Sequence, residues 1–153
     1  MSKINLKKAT IKDIPVLLSI EKKIDGLKTV SAMTTEKDWQ DEFDKKDAEI
    51  YLIFEDGIVV GDTSYEKRSD GSAYLSGLVI EPKFQGQGIG RKVMEIIMKE
   101  LKNAKTIKLV THPENSAAIK LYLSFGFVIK AWKDNYFDDG EPRIELIKEQ
   151  VGK

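Results

Sequence analysis

A glycine-rich segment is the part of this sequence whose residue types most clearly predict chemistry. It reads Gln85-Gly86-Gln87-Gly88-Ile89-Gly90-Arg91 and joins a predicted strand at 73–80 to a predicted helix at 91–102. The first N–H groups of a helix have no intrahelical acceptor, and the helix dipole adds positive charge there. Because glycine has no Cβ, the main chain can approach an anion closely. The segment therefore predicts a diphosphate site, with Arg91 and Lys92 as additional charges.

Two common phosphate-binding motifs do not fit this segment. A P-loop needs Gly-Lys followed by Ser or Thr, whereas Gly90 precedes Arg91. A dinucleotide fingerprint needs G-x-G-x-x-G, whereas Gly86, Gly88 and Gly90 lie two apart, and no acidic residue ends the next strand at 111–113. On this segment alone, a glycine-rich turn without a ligand stays an alternative.

The elements that position these residues follow the order β α α β β β α β α β β. Strands are predicted at 4–8, 49–55, 58–66, 73–80, 106–111, 127–135 and 143–148, and helices at 10–23, around Trp39, at 91–102 and at 115–125. Hairpin turns join three of the six pairs of consecutive strands, while the unit 73–111 predicts one parallel crossover. We therefore predict an α/β (mixed α+β) fold with a central mixed, mostly antiparallel sheet of about seven strands and helices on both faces.

Two residues interrupt the patterns of their elements. Gly77 lies inside a predicted strand and predicts a β-bulge or a close approach by a ligand. Glu21 shares the helical spacing of the apolar residues Ile14, Leu17 and Leu18 in the first helix.

Composition excludes several classes of protein. The 153 residues include 25 Lys and Arg, 25 Asp and Glu and no cysteine, so the formal net charge is zero. Zero charge argues against nucleic-acid binding, and the lack of cysteine excludes disulfides, thiolate zinc sites and a cysteine nucleophile. The longest apolar runs are too short to cross a membrane, and the N-terminal residues form no signal peptide. We expect one cytoplasmic domain over residues 1–153, with no metal, nucleic-acid or membrane partner.

Two segments together resemble the GNAT superfamily of N-acetyltransferases. Gln85-x-x-Gly88-x-Gly90 after Leu78-Val79-Ile80-Glu81-Pro82 resembles the acetyl-CoA signature of that family. Residues 110–122, followed by Phe125-Gly126-Phe127, resemble its second motif. The predicted element order fits the GNAT fold from Ile4 to Lys148. A weaker likeness is to the branch that acetylates ribosomal proteins and peptide N-termini.

This resemblance implies acetyl-CoA as the co-substrate and a set of residues that bind it. The diphosphate ligands would be Gln85, Gly86, Gln87, Gly88, Ile89, Gly90 and Arg91. The main chain of Leu78, Val79 and Ile80 would pair with the pantetheine arm like an added strand, with the Val79 N–H near the thioester oxygen. Asn115 would cap the following helix and also contact the pantetheine or its phosphates.

The resemblance also implies Tyr122 as the catalytic general acid. A phenol keeps its proton at neutral pH and can give it to a departing thiolate. The alternative is that Tyr122 is an apolar-face residue beside Leu121 and Phe125, and the spacing from Asn115 favours the catalytic role.

No general base is assigned from the sequence. Relatives that acetylate protein N-termini often carry Glu five residues before the motif's Asn, where this chain has Val110. His112, the only histidine, is a candidate proton relay, although a surface or capping role is the commoner one. We expect Glu81 and Glu114 to be solvated loop carboxylates, and a water chain is the remaining alternative.

Three segments are candidates for holding the acceptor amine. Residues 135–141, with Tyr136 and the acidic residues Asp138, Asp139 and Glu141, resemble an acceptor-holding hairpin and form a competent β-turn in any case. The loop 25–33 and the helix around Trp39 lie, by resemblance, where acceptor pockets form.

We therefore expect an acetyl-CoA-dependent N-acetyltransferase that transfers acetyl directly to a primary amine of a small molecule or of a peptide or protein N-terminus. Direct transfer fits the absence of a cysteine carrier. The alternative, which Val110 keeps open, is a non-catalytic coenzyme A-binding regulatory module. The acceptor and the oligomeric state stay open, a homodimer included.

Overall fold

The computed structural model describes residues 2–150 and contains the predicted order of strands and helices. The ends of the expected domain, residue 1 and residues 151–153, lie outside the described part. The strands are β1 (Ile4–Lys8), β2 (Ala48–Glu55), β3 (Ile58–Lys67), β4 (Ala73–Ile80), β5 (Thr106–Thr111), β6 (Val128–Lys133) and β7 (Arg143–Glu149). The helices are α1 (Ile14–Lys22), α2 (Glu36–Asp44), α3 (Ile89–Glu100) and α4 (Ser116–Ser124).

Seven strands form one sheet in the order β1-β2-β3-β4-β5-β7-β6. Neighbouring strands are antiparallel except β4 and β5, which are parallel. The mostly antiparallel sheet and the single parallel crossover at 73–111 are therefore as predicted.

The parallel strands β4 and β5 pair at only two positions, Ala73 with Ile107 and Tyr74 with Lys108. Beyond these pairs the ladder stops, although both strands continue. The register of β4 against β3 shifts at the same place, where Ser76 is the extra residue between Leu75 and Gly77. This is the bulge predicted from Gly77, and it lies where a gap opens between β4 and β5.

Helices cover both faces of the sheet. Successive strand residues point to opposite faces, so Leu52 and Ile53 mark the two sides. Leu52 packs in a core with Leu17 of α1 and Trp39 of α2, whereas Ile53 belongs to the core of α3 and α4.

Two helix starts differ from the sequence prediction for local reasons. Thr10 donates its N–H to Asp13 Oδ2 at 2.9 Å, and this contact closes a short 3-10 turn before α1 begins at Ile14. Helix α3 begins at Ile89 rather than Arg91, because Gly88 adopts a left-handed φ of 81° and serves as its N-cap.

Candidate active site

A central cleft opens where β4 and β5 diverge. Its volume is about 160 Å³. It is lined by residues 75–79 of β4, residues 109–112 at the end of β5, Asn115, Ala118 and Tyr122 at α4, the loop residues Thr29, Val30 and Ser31, and Ile24, Phe137 and Arg143. The gap between the strands therefore leads from one face of the sheet towards the other.

A second cleft, the loop cleft, continues from the central cleft towards the glycine-rich segment. It measures about 280 Å³ and includes Gln85, Gly86, Gly88, Ile89 and Gly90 in its wall. The two clefts share residues of β4, α4 and the loop 25–33. A long ligand can thus lie along both.

Two glycines give the wall of the loop cleft its shape. Gly86 and Gly88 have φ values of 79° and 81°, in the left-handed region that favours glycine. No atom lies within 4 Å of where a Cβ would stand at either position. The backbone conformation, rather than crowding by the protein, is what requires glycine here.

The start of α3 presents unpaired N–H groups to the loop cleft. The N–H of Lys92 donates to Gly88 O at 3.3 Å, which is the first i to i−4 bond of this helix. The N–H groups of Ile89, Gly90 and Arg91 precede it and have no acceptor of this kind. Of the residues predicted to bind a diphosphate, Gln87 and Arg91 do not line the loop cleft, whereas the other five do. The ligand itself stays a prediction.

The side chains expected to add charge to this site have other contacts. The Arg91 guanidinium donates to Ser124 Oγ at 3.0 Å and stacks on Phe125. Lys92 Nζ contacts Ser2, near the start of β1. A contact of Lys92 with the anion therefore stays a prediction, and the main chain at the start of α3 adds positive charge to the cleft in any case.

The free edge of β4 is built from Leu78 and Ile80. Asp62 of β3 pairs with Val79, and the Val79 carbonyl oxygen points at β3, 2.0 Å from where a Cβ on Gly61 would stand. In a strand the N–H and C=O of one residue point the same way and neighbours alternate. The expected Val79 N–H donor in the cleft is therefore wrong. The groups facing the cleft belong to Leu78 and Ile80, and Gln85 Nε2 donates to Ile80 O at 2.9 Å.

Tyr122 lines both clefts at their junction. It is 8% exposed and packs edge-on against Phe127, with ring centroids 6.0 Å apart. Among residues 2–150 its hydroxyl has no hydrogen-bond partner. Burial raises its pKa to about 12, so the phenol keeps its proton at neutral pH.

Asn115 starts α4 as predicted. Its side-chain oxygen accepts from the Ala118 N–H at 3.2 Å, which caps the helix. The residue also lines both clefts. The capping role is therefore observed, and the contact with a cofactor stays a prediction.

Neither of the two positions considered for a general base offers a free base. His112 is buried rather than on the surface: its Nδ1 accepts from the Glu114 N–H at 3.0 Å, and its Nε2 lies 2.8 Å from Glu141 Oε1. Both ring nitrogens are thus engaged, and the imidazole has no free lone pair for a substrate proton. Val110 lines the central cleft and offers no titratable group.

The two loop carboxylates, Glu81 and Glu114, differ in their burial. Glu114 is exposed and pairs with Lys28 at 2.8 Å, as expected for a solvated loop residue. Glu81 is 3% exposed and pairs with Lys23 of the segment after α1 at 2.8 Å. The expectation that Glu81 is solvated is therefore wrong, because the chain folds Lys23 over it.

Two of the three segments named for the acceptor line the central cleft, whereas the helix around Trp39 does not. Thr29, Val30 and Ser31 line it from the loop 25–33, and Phe137 lines it from the turn between β6 and β7. Tyr136 packs edge-on against Phe137, 4.8 Å between centroids.

Sequence reasoning missed Arg143, which lines the central cleft. Arg143 is 2% exposed, donates to Asp139 Oδ2 at 3.0 Å and lies over the Phe137 ring. Arg143 is the first residue of β7, and that position carries no local signal of such burial.

Among residues 2–150, no helix is long and apolar enough to cross a membrane.

The chain is similar to known acetyltransferases. A model of the acetyltransferase (GNAT) family matches residues 19–127. The chain is 34% identical over 77 residues to the [Ribosomal protein bS18]-alanine N-acetyltransferase of Escherichia coli (strain K12), covering 49% of this chain and 52% of that protein. It is 31% identical over 85 residues to the spermine/spermidine N(1)-acetyltransferase of Bacillus subtilis (strain 168), covering 49% and 56%. The chain thus spans about half the length of the curated relatives it matches.

The fold has close structural counterparts. The crystal structure of the ribosomal-protein-S18-alanine N-acetyltransferase from Escherichia coli superposes with a TM-score of 0.80, covering 100% of this chain and 96% of that chain at 23% identity. At this identity the likeness shows the shared fold.

Proposed function

The chain belongs to the acetyltransferase (GNAT) family, and from that premise we propose that it is an acetyl-CoA-dependent N-acetyltransferase. It transfers acetyl directly to a primary amine of a small molecule or of a peptide or protein N-terminus. The observation that carries this proposal is the position of Tyr122 at the junction of the two clefts. The relatives from Escherichia coli and Bacillus subtilis, named for a ribosomal-protein alanine and for polyamines, support an amine acceptor.

The donor would lie along the loop cleft. Main-chain N–H groups at the start of α3 bind its diphosphate, since they lack intrahelical acceptors and carry the positive end of the helix dipole. The pantetheine arm pairs with the open edge of β4. The thioester carbonyl then accepts from the Leu78 or Ile80 N–H, which stabilises the oxyanion that develops during attack.

Tyr122 would act as the general acid. Attack by the amine breaks the C–S bond, and the departing thiolate takes the phenolic proton. Burial disfavours the phenolate and raises the Tyr122 pKa to about 12. The same environment disfavours the thiolate and raises the pKa of the thiol, which offsets the rise in the Tyr122 pKa during proton transfer from phenol to sulfur.

The acceptor amine must be neutral when it attacks. Asp and Glu side chains are absent from the walls that residues 2–150 form around the central cleft. His112 has both ring nitrogens engaged. We therefore assign the amine's proton to solvent in the cleft rather than to a side chain.

A thiol-release assay tests the proposal. Acetyl-CoA is offered with a panel of monoamines, diamines, amino acids and peptides with free N-termini, and coenzyme A release is recorded. Release that depends on one class of amine supports an enzyme. Tight acetyl-CoA binding with no release across the panel would instead support the non-catalytic coenzyme A-binding module.

The proposal also includes a cytoplasmic location and leaves a homodimer open. Both rest on composition and resemblance. Cell fractionation tests the first, and light scattering of the purified chain tests the second.

A further inference from the structure

An acidic cavity lies across β4 from the central cleft, on the face of the sheet that α1 and α2 cover. Its volume is about 260 Å³. The carboxylates in its wall are Glu21, Glu42, Asp62 and Glu66, with Lys45 beside them. Trp39, Tyr74 and Phe137 contribute aromatic walls.

Three of these carboxylates are buried. Asp62 and Glu21 are 3% exposed and Glu42 is 8% exposed. Glu42 Oε2 has no hydrogen-bond partner among residues 2–150, and Asp62 Oδ2 accepts from no N–H or hydroxyl group there, although the Asp62 and Glu21 carboxyls hydrogen-bond each other. Leaving such atoms unpaired is costly, so a buried carboxylate oxygen without a partner indicates a missing donor.

The cations of the protein neutralise the cavity only in part. Arg68 Nη2 pairs with Glu66 Oε1 at 3.2 Å. Lys45 Nζ pairs with Glu42 Oε1 at 2.9 Å and lies 3.6 Å from Glu66 Oε2. Glu21 Oε1 accepts from the Met33 N–H at 2.9 Å. Within the described chain, no Lys, Arg or His forms an ion pair with Asp62.

Asp62 and Glu21 face each other inside this cavity. Burial and the neighbouring Glu21 carboxylate raise the pKa of Asp62 well above its usual range. The raised pKa favours the protonated form of Asp62, and a positively charged group in the cavity would favour release of that proton.

The acidic cavity and the central cleft share part of their walls. Ser31, Ser76, Gly77, Val79 and Phe137 line both. Ser76 is the bulge residue of β4, and its hydroxyl is buried and also lacks a partner in the described residues. A linear molecule that passes beside Ser76 and Gly77 would place one end near Tyr122 and the other among the carboxylates.

We propose that the acidic cavity binds the second ammonium group of a linear aliphatic diamine or polyamine whose first amine is acetylated in the central cleft. This inference rests on the proposed function. Asp62 Oδ2 and Glu42 Oε2 accept from the ammonium, and the aromatic walls favour a cation and its methylene chain. Strands β3 and β4 lie ~4.8 Å apart, so a short methylene chain spans from the cleft to Asp62.

A kinetic comparison tests this inference. Coenzyme A release is measured with 1,4-diaminobutane and with butylamine, which lacks the second charge. We expect Asp62→Asn and Glu42→Gln each to raise KM for the diamine about 10- to 100-fold, because a charge-assisted hydrogen bond is lost. KM for butylamine should change less than about twofold. Asp41→Asn, an exposed carboxylate beside Glu42 on α2, is the matched control and should change neither.

Equal kcat/KM for diamine and monoamine in the native enzyme, or equal losses for both amines in the variants, would overturn the inference. Calorimetric binding of 1,4-diaminobutane without acetyl-CoA separates this result from failure of the proposed function. If 1,4-diaminobutane binds and Asp62→Asn weakens that binding, the result supports the cavity even when no amine is acetylated. No measurable diamine binding to a native enzyme that acetylates monoamines refutes it.

Discussion

The Tyr122 hydroxyl offers the sharpest prediction for catalysis. Tyr122→Phe removes one oxygen and keeps the ring that packs against Phe127. Because the hydroxyl has no partner among residues 2–150, its loss should change the free energy of unfolding by less than about 1 kcal/mol. Catalysis should respond very differently, since the phenol is the proposed proton donor.

We expect kcat to fall about 10²- to 10⁴-fold, the usual contribution of a general acid. The Kd for acetyl-CoA should stay within about threefold, because the diphosphate and the pantetheine are bound by main-chain groups. The pH profile gives a second readout. Since burial raises the Tyr122 pKa to about 12, native kcat should not fall through ionisation of this phenol near pH 10.

Tyr65→Phe is the matched control. Tyr65 is also buried, but its hydroxyl lies 3.3 Å from that of Tyr51 and lines neither cleft. Its loss should lower stability by about 0.5–1.5 kcal/mol and leave kcat unchanged. Stopped-flow turnover and denaturant unfolding of both variants measure the contrast. Native-like turnover of Tyr122→Phe with a good acceptor would refute the general-acid role.

Three further predictions concern the loop cleft, the acidic cavity and α4. Gly88→Glu should abolish acetyl-CoA binding in calorimetry, because it adds backbone strain and a negative charge at the anion site. Gly57→Glu is the control, since Gly57 has a similar φ of 85° and equally open space, and it should leave binding unchanged. Equal binding by both variants would contradict the anion site. Because the Asp62 pKa is raised, the folded state keeps a proton that the unfolded state loses above pH 3.8. The contribution of Asp62 to the free energy of unfolding should therefore fall as pH rises from about 4, by up to about 1.4 kcal/mol per pH unit. Carboxylates with lowered pKa values act in the opposite direction, so the test is the difference between native protein and Asp62→Asn, and an identical pH slope in the two would contradict this. Asn115→Ala should destabilise the fold by about 1 kcal/mol in urea unfolding through loss of the cap on Ala118, and an unchanged midpoint would argue against capping.

Local backbone chemistry made part of this molecule predictable from sequence. Gly77 marked the bulge in β4, and the spacing of Gly86, Gly88 and Gly90 marked the loop before α3. Each of these signals depends on neighbours in sequence. The same holds for Asn115, whose cap lies within three residues.

The remaining features depend on contacts between distant segments. The local sequence predicts an exposed loop carboxylate at Glu81, because its partner Lys23 lies 58 residues away in the chain. Which N–H groups of β4 face the cleft depends on the register with β3, so Val79 was assigned wrongly. Glu21 carried a usable signal, a carboxylate on an apolar helix face, but its partner Asp62 lies on a different element.

A crystal structure of the complex with coenzyme A tests the central claim most directly. We expect the diphosphate within hydrogen-bond distance of the main-chain N–H groups at residues 88–91, and the thiol sulfur within about 3.5 Å of the Tyr122 hydroxyl, between β4 and β5. A diphosphate bound elsewhere, or a sulfur that the Tyr122 hydroxyl cannot reach, would contradict the account.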